Sequence, residues 1–149
     1  MIPIKTLVRD GCWLQCTVQS PFVRGGLVFR MRILSFERLD YAEIGRAVSL
    51  VPIEPGAVRW LMKVEVVNLS KASTLFGYIA AEMRTVDTDG FQFERDGAGL
   101  IFSDFAKRIG LSRGSLLPKL KAQAAVIFKV PDEDTEYSLA FRSGTIEEI

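Results

Sequence analysis

From Val58 to Val66 every second residue is apolar: Val58, Trp60, Met62, Val64 and Val66 share one register, with Arg59, Lys63 and Glu65 between them. A side-chain period of two marks a strand with one face on a core and the other toward water, and a helix does not satisfy it. The pattern returns in Leu27, Phe29, Met31 and Ile33, with Arg30 and Arg32 opposite. It returns again in Leu120, Ala122, Ala124, Val126, Phe128 and Val130, set against Lys119, Lys121, Gln123 and Lys129. Tyr137, Leu139 and Phe141 repeat it near the end, with Glu136, Ser138 and Arg142 outward. Strands apolar on one face must bury that face against a second layer, so this chain calls for sheets packed face to face.

Turn chemistry separates the runs. Asp10-Gly11 is expected to close a hairpin from Ile4 to Val18, Glu54-Pro55-Gly56 to introduce the Trp60 strand, and Asp89-Gly90 to join Ala80–Val86 to Phe91–Glu94. Val130-Pro131-Asp132 ends one strand and the acidic loop to Glu136 leads into the next. The expected fold is all-β: an antiparallel β-sandwich of seven or eight strands, with helix confined to short pieces near Tyr41–Arg46 and Ser103–Ile109. A chain of 149 residues without repeats or linkers reads as one domain, residues 1–24 forming an N-terminal hairpin extension.

The order Val64-Glu65-Val66-Val67-Asn68-Leu69-Ser70, then Val86-Asp87-Thr88-Asp89-Gly90, then Leu117-Pro118 with Phe128-Lys129-Val130-Pro131, closing on Glu136-Tyr137-Ser138-Leu139, resembles an immunoglobulin-like domain family of unknown function common in bacterial surface proteins and lipoproteins. The resemblance covers residues 25–149. It implies an immunoglobulin-like sandwich and carries no established active site.

Histidine is absent, which removes the usual base of Ser and Cys hydrolases and the commonest zinc ligand. The two cysteines, Cys12 and Cys16, are too few for a zinc site. On one strand they would stand about 13 Å apart, too far for a disulfide. Net charge is +1, so any polyanion site must be a local patch. No run approaches the length of a membrane span, and no basic-then-apolar leader opens the chain, which reads as cytosolic; an exported protein whose leader had been cut away would read the same. No cofactor or metal is expected. Asp87-Thr88-Asp89-Gly90 starts like a calcium loop, but Phe91 and Phe93 continue it as a hairpin. Asn68-Leu69-Ser70 matches a glycosylation sequon, and its place after a strand favours an Asx turn.

Residues 105–122 carry two overlapping signatures. Gly110-Leu111-Ser112-Arg113-Gly114 fits a nucleophile elbow, yet the chain has no histidine, and nothing selects Lys107 or Lys121 as an alternative base for Ser112. Residues 103–122 also scan as a helix-turn-helix, the alternative DNA-binding reading; Pro118 would then fall inside the recognition helix at a cost of about 3 kcal/mol. We therefore expect a non-enzymatic module that binds a protein partner or itself, without nucleic acid. The long connection between strands, apolar and then basic, supplies the candidate contact residues Phe102, Phe105, Lys107, Arg108 and Arg113.

Overall fold

The computed structural model describes residues 2–39, 53–96 and 115–149. In order these form α1 (Ile4–Asp10), β1 (Leu14–Ser20), β2 (Val23–Arg38), β3 (Ala57–Asn68), β4 (Thr74–Leu75), α2 (Phe76–Glu82), β5 (Met83–Val86), β6 (Gln92–Glu94), β7 (Ser115–Leu116), β8 (Lys121–Pro131), β9 (Ser138–Phe141) and β10 (Gly144–Glu148). The expected helices at 41–46 and 103–109 lie outside the described residues.

One sheet runs β10-β1-β2-β3-β8 and a second runs β6-β5-β9, with every neighbour antiparallel; β4 and β7 form a small pair of their own. Alternation does what the sequence pattern requires. Leu27, Phe29, Met31 and Ile33 on β2 and Met62, Val64 and Val66 on β3 are all buried between the sheets. Phe29 meets Phe141 of β9 edge-on, ring centroids 5.7 Å apart, so the two layers touch through aromatic packing. In β2 the adjacent apolar pair Ile33-Leu34 breaks the alternation, and there the register shifts by a bulge that keeps Phe36 on the inner face. Phe36 stacks on Trp60 at 4.9 Å, the inward placement expected of that tryptophan.

Four expectations are corrected. Residues 4–10 are helical, so no hairpin closes at Asp10-Gly11: Gly11, at φ 61°, ends α1 in the left-handed conformation, and its N–H caps the Leu7 carbonyl. β1 instead pairs with β2 and β10 inside the main sheet. Residues 76–82 are helical too, so the strand expected from Ala80 begins only at Met83; Phe76, Ile79 and Ala80 stand at helical spacing and pack on the core. The strand expected from Lys119 begins at Lys121. Leu117–Leu120 forms a tight turn, with Lys119 at φ 68°, and leaves Leu120 outside the core.

The remaining turns behave as their residues dictate. Gly56 at φ 83° precedes β3, and Asp87 Oδ1 accepts from the N–H groups of Asp89 and Phe91, tying off the β5–β6 hairpin.

Candidate functional site

β10 follows β9 after a corner at Arg142-Ser143 and crosses from the smaller sheet to the edge of the larger one. Two contacts fix the corner. Arg142 donates through Nε and Nη2 to both carboxylate oxygens of Glu82 at 2.7 and 2.8 Å, and its backbone N–H donates to the Glu82 carbonyl. Gly144 then passes so close to β1 that a Cβ there would stand 2.4 Å from the Thr17 carbonyl oxygen. Only glycine admits this approach.

Beyond the corner, the Gln19 N–H donates to Ser143 O and the Ile149 N–H to Trp13 O, so Ser143, Thr145, Glu147 and Ile149 turn their backbone groups toward β1. Gly144, Ile146 and Glu148 therefore turn theirs outward, along an edge that no described strand covers. Beside this edge, between α1, β9 and β10, lies a cleft of about 300 Å³ lined by the apolar residues Ile2, Leu7, Leu139, Ala140, Phe141 and Ile146 with Gly144, and backbone polar groups share its surface with the apolar side chains. Unpaired backbone groups next to such a recess are what a docking strand needs: main-chain hydrogen bonds for affinity and a pocket for its side chains.

The outer face of the main sheet is knit by charge. Arg32 pairs with Glu65, Lys121 reaches the same carboxylate at 3.4 Å, and the Arg32 guanidinium lies 4.9 Å above the Trp13 ring. The hydrogen bond from Arg32, aided by both cations and opposed by burial, holds the Glu65 carboxyl below its ordinary value. Arg59, expected on a wet face, is 3% exposed and paired with Asp96 at 2.5 Å. These are structural ion pairs and assemble no nucleophile with a base. Cys16 is buried and its thiol is pushed up to about 12 by desolvation; Cys12 is raised as well, by burial first and then by its contact with Glu148. Both thiols are free. Among the described residues no three His, Cys, Asp or Glu side chains gather where a metal ion could be held, and no helix is long and apolar enough to cross a membrane.

Asn68, 1% exposed, is the hub of the turn that follows β3. Its Nδ2 donates to the carbonyls of Ala72 and Leu116, each at 2.9 Å, while Oδ1 accepts from the Ser70 N–H. Both amide hydrogens are engaged, so the sequon reads as the expected Asx turn.

Phe102, Phe105, Lys107, Arg108 and Arg113 lie outside the described residues, as does Ser112. Residues 115–122 bear on the DNA-binding alternative: β7, a turn and the start of β8 occupy them, so the recognition helix does not form there. The β10 edge itself escaped sequence reading because Ile146 is the single apolar residue in Gly144–Glu148 before the terminal Ile149.

No protein-family model and no curated protein matches the chain. Solved structures do. A conserved hypothetical protein from Bacillus anthracis matches with a TM-score of 0.54 at 14% identity, over 91% of this chain and 96% of that one. The secreted protein MPT63 of Mycobacterium tuberculosis matches with a TM-score of 0.51 at 13% identity, over 83% of this chain and 84% of its own. A putative lipoprotein of Bacillus subtilis matches with a TM-score of 0.50 at 12% identity; 89% of this chain covers 38% of that one. At such identities the likeness is one of fold, and none of these descriptions names an enzymatic activity. The chain is similar in architecture to β-sandwich proteins that include a secreted protein and a putative lipoprotein.

Proposed function

We propose that this chain is a non-enzymatic, immunoglobulin-like assembly module that pairs with a second copy of itself through β10. The observation that carries the reading is the edge of β10 that no described strand covers, beside the cleft. An antiparallel pairing centred on Ile146 sets the outward backbone groups of Ile146 against those of its counterpart and those of Gly144 against Glu148. The same register sets Thr145 against Glu147 and leaves the Glu148 side chain facing a glycine, so no carboxylates stand directly opposed along an edge that carries two glutamates. The two main sheets then continue across the two-fold axis, and the Ile146 side chains meet at the mouths of the two clefts.

Sedimentation equilibrium over a dilution series tests the pairing. The native chain is expected to dissociate on dilution. Glu148→Pro removes an outward-facing N–H without touching the β1 ladder, so it is expected to leave the far-ultraviolet dichroism unchanged and the protein monomeric. A native chain that stays monomeric at the highest concentration, or a Glu148→Pro chain that pairs as well as native, sinks the reading.

A further inference from the structure

Five of the seven large apolar residues standing exposed among the described residues, Phe22, Leu69, Leu75, Leu117 and Leu120, lie at the Asn68 end of the sandwich. Backbone contacts place them together. The Leu69 N–H donates to Val28 O, the Lys119 N–H to Asn68 O and the Leu120 N–H to Leu117 O; Leu75 pairs with Ser115, next to the Leu116 carbonyl that Asn68 holds. Phe22, 66% exposed, stacks on Tyr78 at 5.3 Å, one helical turn beyond Leu75. These side chains stand on loop tips and strand ends.

The segments that carry them, residues 20–28, 68–78 and 115–121, hold Arg24, Lys71, Lys119 and Lys121 and no aspartate or glutamate. Lys121 is shared with Glu65; among the described residues Arg24, Lys71 and Lys119 pair with no carboxylate. The densest groups of described carboxylates stand at the far end. Asp132, Glu133, Asp134 and Glu136 follow β8 there, and Asp87 and Asp89 sit in the β5–β6 turn, where Thr88 lies 3.5 Å from Thr135. Among the described residues, charge is thus unevenly spread along the strands, with the exposed apolar side chains on the segments that carry cations only.

We infer that the Asn68 end docks on an anionic lipid surface, the leucines and Phe22 entering the interface while Arg24, Lys71 and Lys119 meet the headgroups. Apolar tips accompanied by cations are the composition of interfacial anchors, and the three described segments without acidic residues complement a negative leaflet while the acidic loops at the far end are repelled from it. Entry into a poorly hydrating region requires backbone polar groups to be satisfied from within. Asn68 meets that need for Ser70 N–H and for the Ala72 and Leu116 carbonyls, and Ser70 Oγ does so for Val28 N–H.

Co-sedimentation with vesicles tests the inference. With equal parts of phosphatidylserine and phosphatidylcholine the native chain is expected to pellet, less so as salt rises, and to stay in solution with phosphatidylcholine alone. Leu117→Ser with Leu120→Ser, and separately Lys71→Glu with Lys119→Glu, are each expected to lower vesicle affinity roughly tenfold or more. Phe91→Ser, at the far end, is the control expected to bind as native. All these side chains are exposed, and unchanged dichroism confirms folding. Failure of the native chain to pellet with anionic vesicles at low salt overturns the inference and leaves an acidic protein as the fitting partner for this end. Undiminished binding by the leucine variant overturns it equally, because charge adsorption alone would then account for the pelleting.

Discussion

Asn68 shows how much one side chain can carry in a β-sandwich. Replacing it by alanine strands two carbonyls and one N–H in a site that is 1% exposed, and the expected loss is about 2–4 kcal/mol, read as a lower urea midpoint with an unchanged slope. Asn68→Asp should be no milder at neutral pH, because it sets a carboxylate against two carbonyl oxygens, and it should recover in part as acid protonates it. Glu65 gives the complementary case on the outer face. Its folded-state value is depressed, first by the hydrogen bond from Arg32, so its stabilising contribution is complete above the ordinary glutamate value of 4.5 and is lost as pH falls through the folded value. Between about pH 5 and pH 3 the native chain should therefore lose stability more steeply than Glu65→Gln. Glu54, lowered by its hydrogen bond from Lys129, shares the sign, but both partners are solvated and screened, so Glu54→Gln should change the acid slope less.

At the scale of elements, Gly144 is the position on which β10 turns. Gly144→Ala drives a methyl group into the Thr17 carbonyl and the Val18 Cα, both backbone atoms that cannot rotate away. The expected cost is about 1–3 kcal/mol, with faster amide exchange confined to β10 and its β1 partner. The sequence announced β2, β3, β8 and β9 because each keeps a period of two with long apolar side chains on one face. It concealed the two described helices, each seven residues long, because such pieces hold only two or three apolar residues at helical spacing. In α1 the stop signal Asp10-Gly11 is also a hairpin signal, and tertiary packing of Ile4 and Leu7 decides between them. The cleft was illegible for a different reason. Its lining comes from Ile2, Leu7, Phe141 and Ile146, residues brought together only when β10 crosses to the main sheet.

Across the whole molecule a net charge of +1 is unevenly spread: among the described residues, the segments around Asn68 carry cations without carboxylates, and the loops after β5 and β8 carry clustered acids. The sheet between them is equally uneven. β3 is paired on both sides almost throughout, from Trp60 to Asn68 against β2 and from Ala57 to Val67 against β8, and Met62, Val64 and Val66 on its inner face are fully covered. β6 has three residues, and β10 has five at the edge of the main sheet. Opening β3 requires breaking two ladders and the core at once, so its amides should exchange only through global unfolding, with protection approaching the full stability of the chain. β10 needs to lose one short ladder, so its protected amides, Thr145 and Glu147, should exchange orders of magnitude faster. Ile146 and Glu148, whose N–H groups face away from β1, should exchange fastest in dilute protein and slow as concentration rises if β10 takes up its second copy. Exchange measured by mass spectrometry at two protein concentrations therefore separates the two levels: the β3 rates report the sandwich and should not move, while the β10 rates report the assembly and should.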